Sequence, residues 1–511
     1  MVFHSILFDD DIRRVSEEAS EVPDGLADLN LDQVINAIAK LRPEFPLKPY
    51  FYQPLQERGA VAYRQEIMQD LEDPTLLAHM DSFLQQMSTT MRYLGLKEKL
   101  DFQYHKGGWF LEAVNSYCEA VTSLAGDLSL ADLHSRGLLA FRDFLANYAG
   151  AGAFTMLLAE TKALKADLAT IRYCVLIKGH RVNVRKYEDE ADYSREVEQT
   201  FEKFKQGGVK DHRAKLYTGS GMSVVEAQIL DRVARLYPEI FARLDLYCAK
   251  HSVFLDETIR LFDREIQFYV AYLEFVARIR QAGLQFCYPQ VSDTSKEVYD
   301  YEGFDLALAN ERISEGASVV CNDLYLEGKE RIIVVSGPNQ GGKTTFARMF
   351  GQLHYLASLG CPVPGTRAQL FLCDRIHTHF EREEDIQNLR GKLKDDLVRI
   401  NAVMSQATPN SIIIMNEIFN STTLKDAIFL SKRIMERIIA LDALCICVTF
   451  IDELASLSDK TVSMVSTVVP ENPAQRTFRI IRKPADGLSY AISIAEKYHL
   501  TRQIIKERIP A

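Results

Sequence analysis

Apolar residues recur every three to four positions along much of the first 300 residues. The pattern predicts helices where it is most regular, around residues 138–148, 225–236 and 259–276. Such stripes are usually the buried side of a helix, because one face of the helix packs on a core. We therefore predict that the first part of the chain is mostly α-helical.

One short segment interrupts this helical pattern. Residues 170–186 alternate apolar and polar positions on both sides of Lys178, Gly179 and His180. Two strands joined by a tight turn show this alternation. The segment therefore predicts a β-hairpin between helices.

The pattern changes again near residue 300. Short apolar runs now alternate with helical stretches, as in a mostly parallel sheet whose strands are connected by helices. This change divides the chain into two predicted domains, 1–300 and 301–511. The strands expected in the second domain are 332–335, 411–415, 444–450 and 477–481.

Length and composition are those of an ordinary folded protein with room for two to four domains. The 511 residues are 47% hydrophobic and 25% charged. No apolar run reaches the ~18 residues that a membrane span needs, and the first residues have no leader-like pattern. The nine cysteines are scattered and include no Cys-x-x-Cys pair, which indicates reduced thiols and a cytoplasmic location.

The clearest chemical motif follows the strand predicted at 332–335. Its glycines let the backbone curl until several N–H groups point at one anion. The helix expected next adds its positive N-terminal end, Lys343 a mobile charge, and Thr344 a hydroxyl for Mg²⁺. We predict a nucleoside triphosphate site that consists of Gly337, Pro338, Asn339, Gln340, Gly341, Gly342, Lys343, Thr344 and Thr345.

A second part of such a site is expected at the end of a neighbouring strand. Asn416 and Glu417 directly follow the run 411–415. A carboxylate normally ends this strand and holds the Mg²⁺ shell, and a Glu then orients the attacking water. Asn416 can bond a metal-bound water but brings no charge. We assign it to the metal shell with Thr344, and we assign Glu417 as the candidate general base.

The order of these motifs closely resembles that of the MutS mismatch-repair ATPases. The loop from Gly337 to Thr345 resembles the nucleotide loop of that family. The segments that resemble later motifs of its ATPase domain, in the same order, are 360–364, 416–427, 448–454 and 487–495. A more diffuse likeness begins near residue 40.

The resemblance implies a multidomain fold, in which a mostly α-helical core with lever helices precedes an α/β P-loop ATPase domain of the ABC-related type. It implies ATP as the nucleotide, Mg²⁺ as its metal, and a dimer, most simply a homodimer, that encloses each nucleotide between subunits. The mismatch-reading N-terminal domain of the family has no counterpart in this sequence. We therefore expect no mismatch recognition of the repair type.

Several positions depart from the family pattern. Asn416 replaces an Asp, Phe450 stands where the family has a switch-loop His, and Val319 lies near an aromatic residue that often stacks on adenine. Nucleotide binding is still expected, although the loss of one positioned polar group can slow catalysis by ~10²–10³-fold. We expect slow ATP hydrolysis, with an ATP switch that does not turn over as the alternative.

The predicted hairpin lies where the family's lever helices end in a clamp that contacts the DNA backbone. Residues 172–215 carry eleven Lys or Arg against eight Asp or Glu, whereas the whole chain has a net charge of −10. Such a segment is either a solvated hairpin of mixed charge or a contact with DNA phosphates. For the DNA contact, the candidates within 170–216 are Lys178, Arg181, Arg185, Lys186, Lys203, Lys205 and Lys210.

The sequence therefore predicts a MutS-like protein that couples ATP binding or slow hydrolysis to the binding of mismatched, branched or otherwise structured DNA. Its contacts would follow DNA shape rather than base sequence. The alternative is a non-hydrolysing, ATP-dependent dimeric scaffold that recruits protein partners, which Asn416, Phe450 and the acidic net charge favour. A phosphotransferase is disfavoured, because no second substrate domain is evident after the loop.

Overall fold

The structure is a computed structural model that describes residues 3–9, 21–179, 181–188, 222–381 and 391–485. The described chain divides into two compact units, neither of which is continuous in sequence. The helical unit contains residues 74–132 and 140–263, and the sheet unit contains residues 3–73, 133–139 and the described part of 264–511. The division into domains at residue 300 stays a prediction.

Helices and strands follow each other in the order that the hydrophobic pattern indicates. The helices of the described residues are α1 Leu31–Ala39, α2 Lys48–Phe51, α3 Arg58–Asp70, α4 Pro74–Lys99, α5 Gln103–Leu130, α6 Arg136–Gly150, α7 Gly152–Ala169, α8 Val224–Leu236, α9 Pro238–Lys250, α10 Glu257–Gln281, α11 Leu306–Ser314, α12 Lys343–Ser358, α13 Lys392–Gln406 and α14 Leu424–Leu441. The strands are β1 Tyr173–Lys178, β2 Arg181–Lys186, β3 Phe286–Cys287, β4 Gln290–Ser292, β5 Val298–Gly303, β6 Asn322–Leu326, β7 Ile332–Ser336, β8 Val363–Pro364, β9 Arg367–Phe371, β10 Ile376–His379, β11 Ile412–Asn416, β12 Leu444–Val448, β13 Thr461–Val469 and β14 Asn472–Arg482.

The elements expected from the sequence are confirmed. The three predicted helical stretches fall within α6, α8 and α10, and the predicted hairpin is the antiparallel pair of β1 and β2. Gly179 in its turn has φ 61°, a conformation that glycine adopts without a steric cost. The four expected strands correspond to β7, β11, β12 and the second half of β14.

Long helices build the core of the helical unit. Tyr117 of α5 is fully buried, its ring packs 5.4 Å from that of Phe254, and its hydroxyl bonds that of Tyr148 at 2.9 Å. A capping box defines the start of helix α8. Ser223 Oγ accepts a hydrogen bond from Glu226 N, and Glu226 Oε2 accepts one from Ser223 N. In the described part of the chain, no helix is long and apolar enough to cross a membrane.

A six-stranded sheet forms the centre of the sheet unit. Its strand order is β10-β11-β12-β7-β13-β14, and all neighbours are parallel except the antiparallel last pair. Strands β7 and β12 are wholly buried and, apart from Ser336, consist of Ile, Val, Leu and Cys, as expected for a sheet covered on both faces. On one face, Ile332, Ile413 and Cys445 pack in one cluster with Ile400 of α13 and Met435 of α14.

Helix α12 covers the opposite face of this sheet. It packs so closely that a Cβ added to Gly351 would lie 2.6 Å from Cδ1 of Ile414. Because β7, β11 and β12 run parallel, their carboxyl ends meet at one edge of the sheet, where α/β proteins bind ligands. The loop between β7 and α12 therefore lies at the same edge as the residues that end β11 and β12.

Candidate nucleotide-binding site

Residues 337–342 turn sharply between β7 and α12. Gly337 has φ 115° and Gly342 has φ 89°, and a side chain at either position would strain the backbone. Gln340 has φ 59°, which is uncommon for a residue other than glycine. The first turn of α12 then begins at Lys343, so its unpaired N–H groups face the loop.

The side chain of Lys343 reaches back into its own loop. Its Nζ donates to the carbonyl oxygens of Gly337 at 3.0 Å and Pro338 at 3.1 Å, and the residue is only 4% exposed. Burial lowers the pKa of Lys343 below the usual value, the negative charge of Glu417 opposes this, and Arg476 adds to the lowering. A buried ammonium at this point favours an anionic ligand, because such a ligand replaces the lost hydration.

The last two strands hold two more carbonyl groups of the loop. Ser466 Oγ of β13 donates to Gly341 O at 2.7 Å, and Arg476 Nε of β14 donates to Asn339 O at 3.1 Å. Because β13 pairs in parallel with β7 as far as Ser336, Ser466 lies beside the loop. Four carbonyl oxygens of the loop thus accept hydrogen bonds. A carbonyl oxygen whose negative partial charge is already paired with a donor repels a bound phosphate less.

Asn416 and Thr344 meet at the start of α12. Thr344 Oγ1 donates to Asn416 Oδ1 at 2.9 Å, although the two residues are 72 positions apart in the sequence. Both side chains offer oxygen atoms, which Mg²⁺ prefers, and protein-bound Mg²⁺ usually keeps several waters. No group of three or more His, Cys, Asp or Glu that could hold a metal occurs among the described residues. The Thr–Asn pair fits a Mg²⁺ ion that is held mainly by phosphates and water.

Glu417 lies on the turn that follows β11 and lines a cleft that extends from the loop. Its backbone has φ 55°, and its N–H donates to Val448 O at 2.9 Å, which fixes the turn to the end of β12. The carboxylate accepts a hydrogen bond from Asn420 Nδ2 at 3.2 Å. Strain of this kind is common at functional sites, where the surrounding structure imposes it.

Phe450 lies just beyond β12, and its ring lies next to the Lys343 side chain. The Lys343 ammonium lies 4.5 Å from the centre of this ring, within the range of a cation–π contact. The side chain is 47% exposed. A phenyl ring attracts a cation but cannot exchange a proton or accept a strong hydrogen bond, so Phe450 can position Lys343 but cannot act as an acid or base.

A cleft of about 460 Å³ extends from the loop. Apolar side chains form part of its lining, among them Leu308, Val319 and Phe478. Phe478 has φ 58°, and Asn322 fixes this kink, since its Nδ2 donates to Phe478 O at 3.1 Å and its Oδ1 accepts from Ile480 N at 2.7 Å. An exposed aromatic ring in such a cleft can stack on a purine.

The wall formed by α11 is tied to α12. Asp305 caps α11 by accepting hydrogen bonds from the N–H groups of Ala307 and Leu308. Gln352 of α12 donates to Asp305 Oδ1 at 3.0 Å and accepts from Leu306 N at 2.8 Å. Burial raises the pKa of Asp305, and the hydrogen bonds from Gln352 and the backbone oppose that shift.

The structure thus brings together the loop, Asn416 and Glu417. Ser466, Arg476 and Phe478 were missed by the sequence analysis. Each lies on a strand with no recognisable motif of its own, and only the order of the strands places it at the loop. The sequence offered only a weak indication of Arg476 and Phe478, namely a basic or aromatic residue on a strand near the end of the described chain. Many other positions share this feature.

The hairpin places its basic residues on two different faces. Directly opposed residues of an antiparallel pair share a face, and Lys178 is paired with Arg181 and Cys174 with Arg185. Lys178, Arg181 and Arg185 therefore lie on one face. Lys186 pairs with Tyr173 on the other face, where its Nζ lies 5.0 Å from the centre of the Tyr237 ring. Three further candidates, Lys203, Lys205 and Lys210, lie outside the described residues.

A buried parallel sheet with a glycine-rich loop between its central strand and the next helix defines the P-loop class of nucleotide-binding domains. Comparison with known families agrees, since residues 333–509 match the model described as MutS domain V. The chain is MutS-like.

Curated relatives support this assignment. The chain is 28% identical to a DNA mismatch repair protein MutS of Zymomonas mobilis over 235 residues, 44% of this chain and 27% of that protein. It is 27% identical to an endonuclease MutS2 of Gemmatimonas aurantiaca over 205 residues, 39% of this chain and 25% of that protein. With a MutS of Chlorobium phaeovibrioides it shares 24% identity over 305 residues, 57% of this chain and 33% of that protein. The matches therefore span only a quarter to a third of the relatives' length.

Proposed function

We propose that this chain binds ATP with Mg²⁺ in the cleft and couples ATP binding, or its slow hydrolysis, to the binding of structured DNA. The observation that carries the proposal is the pairing of Thr344 with Asn416 at the start of α12, beside a loop whose carbonyls are held by donors. This arrangement leaves backbone N–H groups and the Lys343 ammonium as the groups that can bind phosphate.

Each predicted residue has a role in this proposal. The backbone of 337–342, with Lys343, Thr344 and Thr345, binds the phosphates, and the purine lies against Phe478. Thr344 and Asn416 hold Mg²⁺, which supplies charge neutralisation of the phosphates when bound. Glu417 orients the water that attacks, because it is the carboxylate next to the metal-binding pair and lines the cleft.

Slow turnover follows from the same residues. Asn416 supplies a neutral oxygen where a carboxylate would hold the metal shell more firmly. Phe450 supplies a ring that holds Lys343 but donates no hydrogen bond to a developing charge. Each missing polar interaction can cost ~10²–10³-fold in rate while leaving binding intact.

DNA binding is assigned to the basic face of the hairpin, which consists of Lys178, Arg181 and Arg185. Its side chains are exposed, and lysine and arginine on one face suit a line of phosphates. The names of the relatives, DNA mismatch repair protein MutS and endonuclease MutS2, favour DNA as the partner. A homodimer, and a division into a helical domain 1–300 and an ATPase domain 301–511, complete the proposal.

Single-turnover hydrolysis of ATP tests the assignment of Glu417. We expect wild-type turnover to rise with branched DNA and Glu417→Gln to bind ATP with little change but lose that turnover. Glu436→Gln is the matched control, because Glu436 is exposed on α14 and pairs with Arg433. Equal turnover in wild type and Glu417→Gln would contradict the role of Glu417.

The second candidate is a non-hydrolysing ATP-dependent scaffold. The contact of Phe450 with Lys343 favours it, since this contact replaces a group that could respond to the γ-phosphate with one that cannot. A wild-type protein that binds ATP but never hydrolyses it, and that binds no duplex, branched or single-stranded DNA at low salt, would support the scaffold.

A further inference from the structure

Among the described residues, four charged ones line the cleft beside the nucleotide loop, namely Asp305, Arg312, Lys343 and Glu417. Asp305 caps α11, Lys343 donates to loop carbonyls, and Glu417 accepts a hydrogen bond from an amide. Arg312 is exposed, and within the described part of the chain its guanidinium has neither a hydrogen bond nor an ion pair. The whole of this planar group is therefore available to a ligand in the cleft.

Arg312 belongs to the wall of the cleft that α11 and the segment 317–320 form. Leu308 and Arg312 are one helical turn apart in α11 and both line the cleft, so they share one face of that helix. Ala317 N donates to Arg312 O at 2.9 Å, which holds the segment against the end of α11. Val319 of this segment lines the cleft as well. Apolar neighbours of this kind suit a base, whereas phosphates need polar partners.

The chemistry of arginine suits the flat face of a base. A guanidinium is planar, is more weakly hydrated than an ammonium, and stacks on aromatic faces. Proteins that bind single-stranded RNA stack arginine on unpaired bases in the same way. A lysine carries the same charge on a compact, strongly hydrated group without a plane, so it replaces arginine poorly in such a stack.

An aromatic ring lines the same cleft close to the loop. A Cβ added to Gly342 would lie 3.8 Å from Cδ1 of Phe478, so this ring borders the point where the loop meets α12. A purine that lies against Phe478 has a second face that this ring does not cover. The cleft of about 460 Å³ is within the size range of small-molecule sites and has room for a base with a group on each face.

We propose that Arg312 binds the nucleoside part of the nucleotide, with its guanidinium plane packed on the face of the purine that Phe478 leaves open. The chain thus holds the base between a ring of β14 and a cation of α11. This inference rests on the proposed nucleotide site and adds the residue that makes the site prefer a nucleotide to a bare polyphosphate.

Binding of ATP, ADP and inorganic tripolyphosphate in the presence of Mg²⁺, measured by titration calorimetry on wild type, Arg312→Gln and Arg312→Lys, tests the proposal. We expect Arg312→Gln to weaken ATP and ADP binding by the same factor, about threefold to tenfold, as for the loss of one cation–π contact. Its affinity for tripolyphosphate should equal that of the wild type, because this ligand has no base. Arg312→Lys should bind ATP as weakly as Arg312→Gln does. Glu311→Gln is the control, since Glu311 is the exposed neighbour on α11, and it should bind all three ligands as the wild type does.

A phosphate contact gives a different result. If Arg312 binds phosphate, Arg312→Gln should also lose affinity for tripolyphosphate and Arg312→Lys should regain it, and either result would overturn the inference. Gln and Lys are both good helix formers, so α11 should persist in both variants, and thermal melting checks this. Unchanged ATP affinity in Arg312→Gln would overturn this inference alone, whereas a wild type that binds neither ATP nor ADP would overturn the proposed function as well.

Discussion

The nucleotide loop and the β1–β2 hairpin both present lysine or arginine beside a sharp turn, yet they are built in opposite ways. In the loop, Lys343 is 4% exposed and bonded to two carbonyls, and neighbouring strands hold two more. In the hairpin, most side chains are exposed, and Ile177 is 73% exposed. The loop depends on hydrogen bonds from distant strands, whereas the hairpin depends mainly on its own cross-strand pairs, with Lys186 against the Tyr237 ring as a contact outside the hairpin.

This difference distinguishes a site that depends on the exact positions of its atoms from a surface that depends on its charge alone. A buried, hydrogen-bonded ammonium acts through its exact position. A shift of a few tenths of an ångström in the atoms around it should therefore change the affinity for phosphate. Exposed cations that bind phosphates act through their number, because each contact releases counterions with little regard to geometry. Substitutions in the two regions should therefore differ in kind as well as in size.

The largest effect is expected for Gly341→Ala in the loop. An added Cβ would lie 2.2 Å from Ser466 Oγ and 3.0 Å from Pro338 O, so the loop must shift. We expect ATP affinity to fall more than tenfold, with a loss of about 1–3 kcal/mol of unfolding free energy from overpacking. Titration calorimetry and urea denaturation measure both quantities.

Gly59→Ala is the matched control for that variant. Gly59 lies in the first turn of α3, and apart from its own turn of the helix no atom of the described residues comes within 4 Å of the added Cβ, so alanine fits there without a clash. Equal ATP affinity in wild type and Gly341→Ala would show that the loop is not held by its packing against Ser466. That result would contradict the contrast between the loop and the hairpin.

The next effect concerns the DNA binding that we propose for the hairpin. Combined replacement of Lys178, Arg181 and Arg185 by Gln should reduce the slope of log K against log salt by about 2–3, since each phosphate contact contributes about 0.9. Lys186→Gln is the control, because Lys186 lies on the other face against Tyr237. The slope is measured by fluorescence anisotropy with a branched DNA probe at several salt concentrations.

Two outcomes would change the interpretation of the hairpin. An unchanged slope in the triple variant would move the DNA contact away from its basic face. A loss in Lys186→Gln as large as in the triple variant would mean that hairpin structure, rather than the charges of one face, governs binding.

The pH dependence of stability should show two carboxyl groups of the sheet unit acting with opposite sign. Asp300 is fully buried, and neither of its carboxyl oxygens has a hydrogen-bond partner among the described residues. Burial raises the pKa of Asp300 well above its usual value, and Asp323 adds to this. The folded state therefore holds a proton that the unfolded state loses near pH 4, so the contribution of Asp300 to stability falls as the pH rises above about 4.

The contribution of Asp442 to stability should depend on pH in the opposite direction. Burial opposes its charge, but hydrogen bonds and charges from Lys460, Arg331 and Lys296 outweigh burial and lower the pKa of Asp442 to about 2. Its stabilisation should be present above about pH 4 and be lost as the pH falls towards 2.

Urea midpoints of Asp300→Asn and Asp442→Asn between about pH 3 and pH 7 check both signs. The stability of Asp300→Asn relative to wild type should rise with pH, and that of Asp442→Asn should fall. Parallel curves for the two variants would contradict the opposite environments of these carboxyl groups.

The smallest effect is expected for an apolar side chain of the hairpin. Ile333→Val removes a methylene from a fully buried position of β7 and should cost about 1 kcal/mol of unfolding free energy. Ile177→Val removes the same group from an exposed position and should change stability by less than about 0.5 kcal/mol. Urea denaturation followed by circular dichroism gives both values, and equal costs would show that Ile177 is covered in solution.

Much of the fold and of the site could be predicted from the sequence because it depends on neighbours along the chain. The helical spacing before Pro238 predicted α8, the alternation around Gly179 predicted the hairpin, and the glycines before Lys343 predicted the loop. Asn416 and Glu417 were also identified, since the strand before them is a continuous apolar run.

The remaining contacts were decided by the tertiary structure alone. The order of strands in the sheet places Ser466 and Arg476 on loop carbonyls, sets the Phe450 ring against Lys343 and brings Phe478 into the cleft. Apart from Phe450, which the resemblance to the MutS family had marked, none of these residues has a local pattern that marks it. Periodicity and motifs report what a residue does with its nearest neighbours in sequence, whereas partners more than a hundred residues away are chosen by which strands lie side by side.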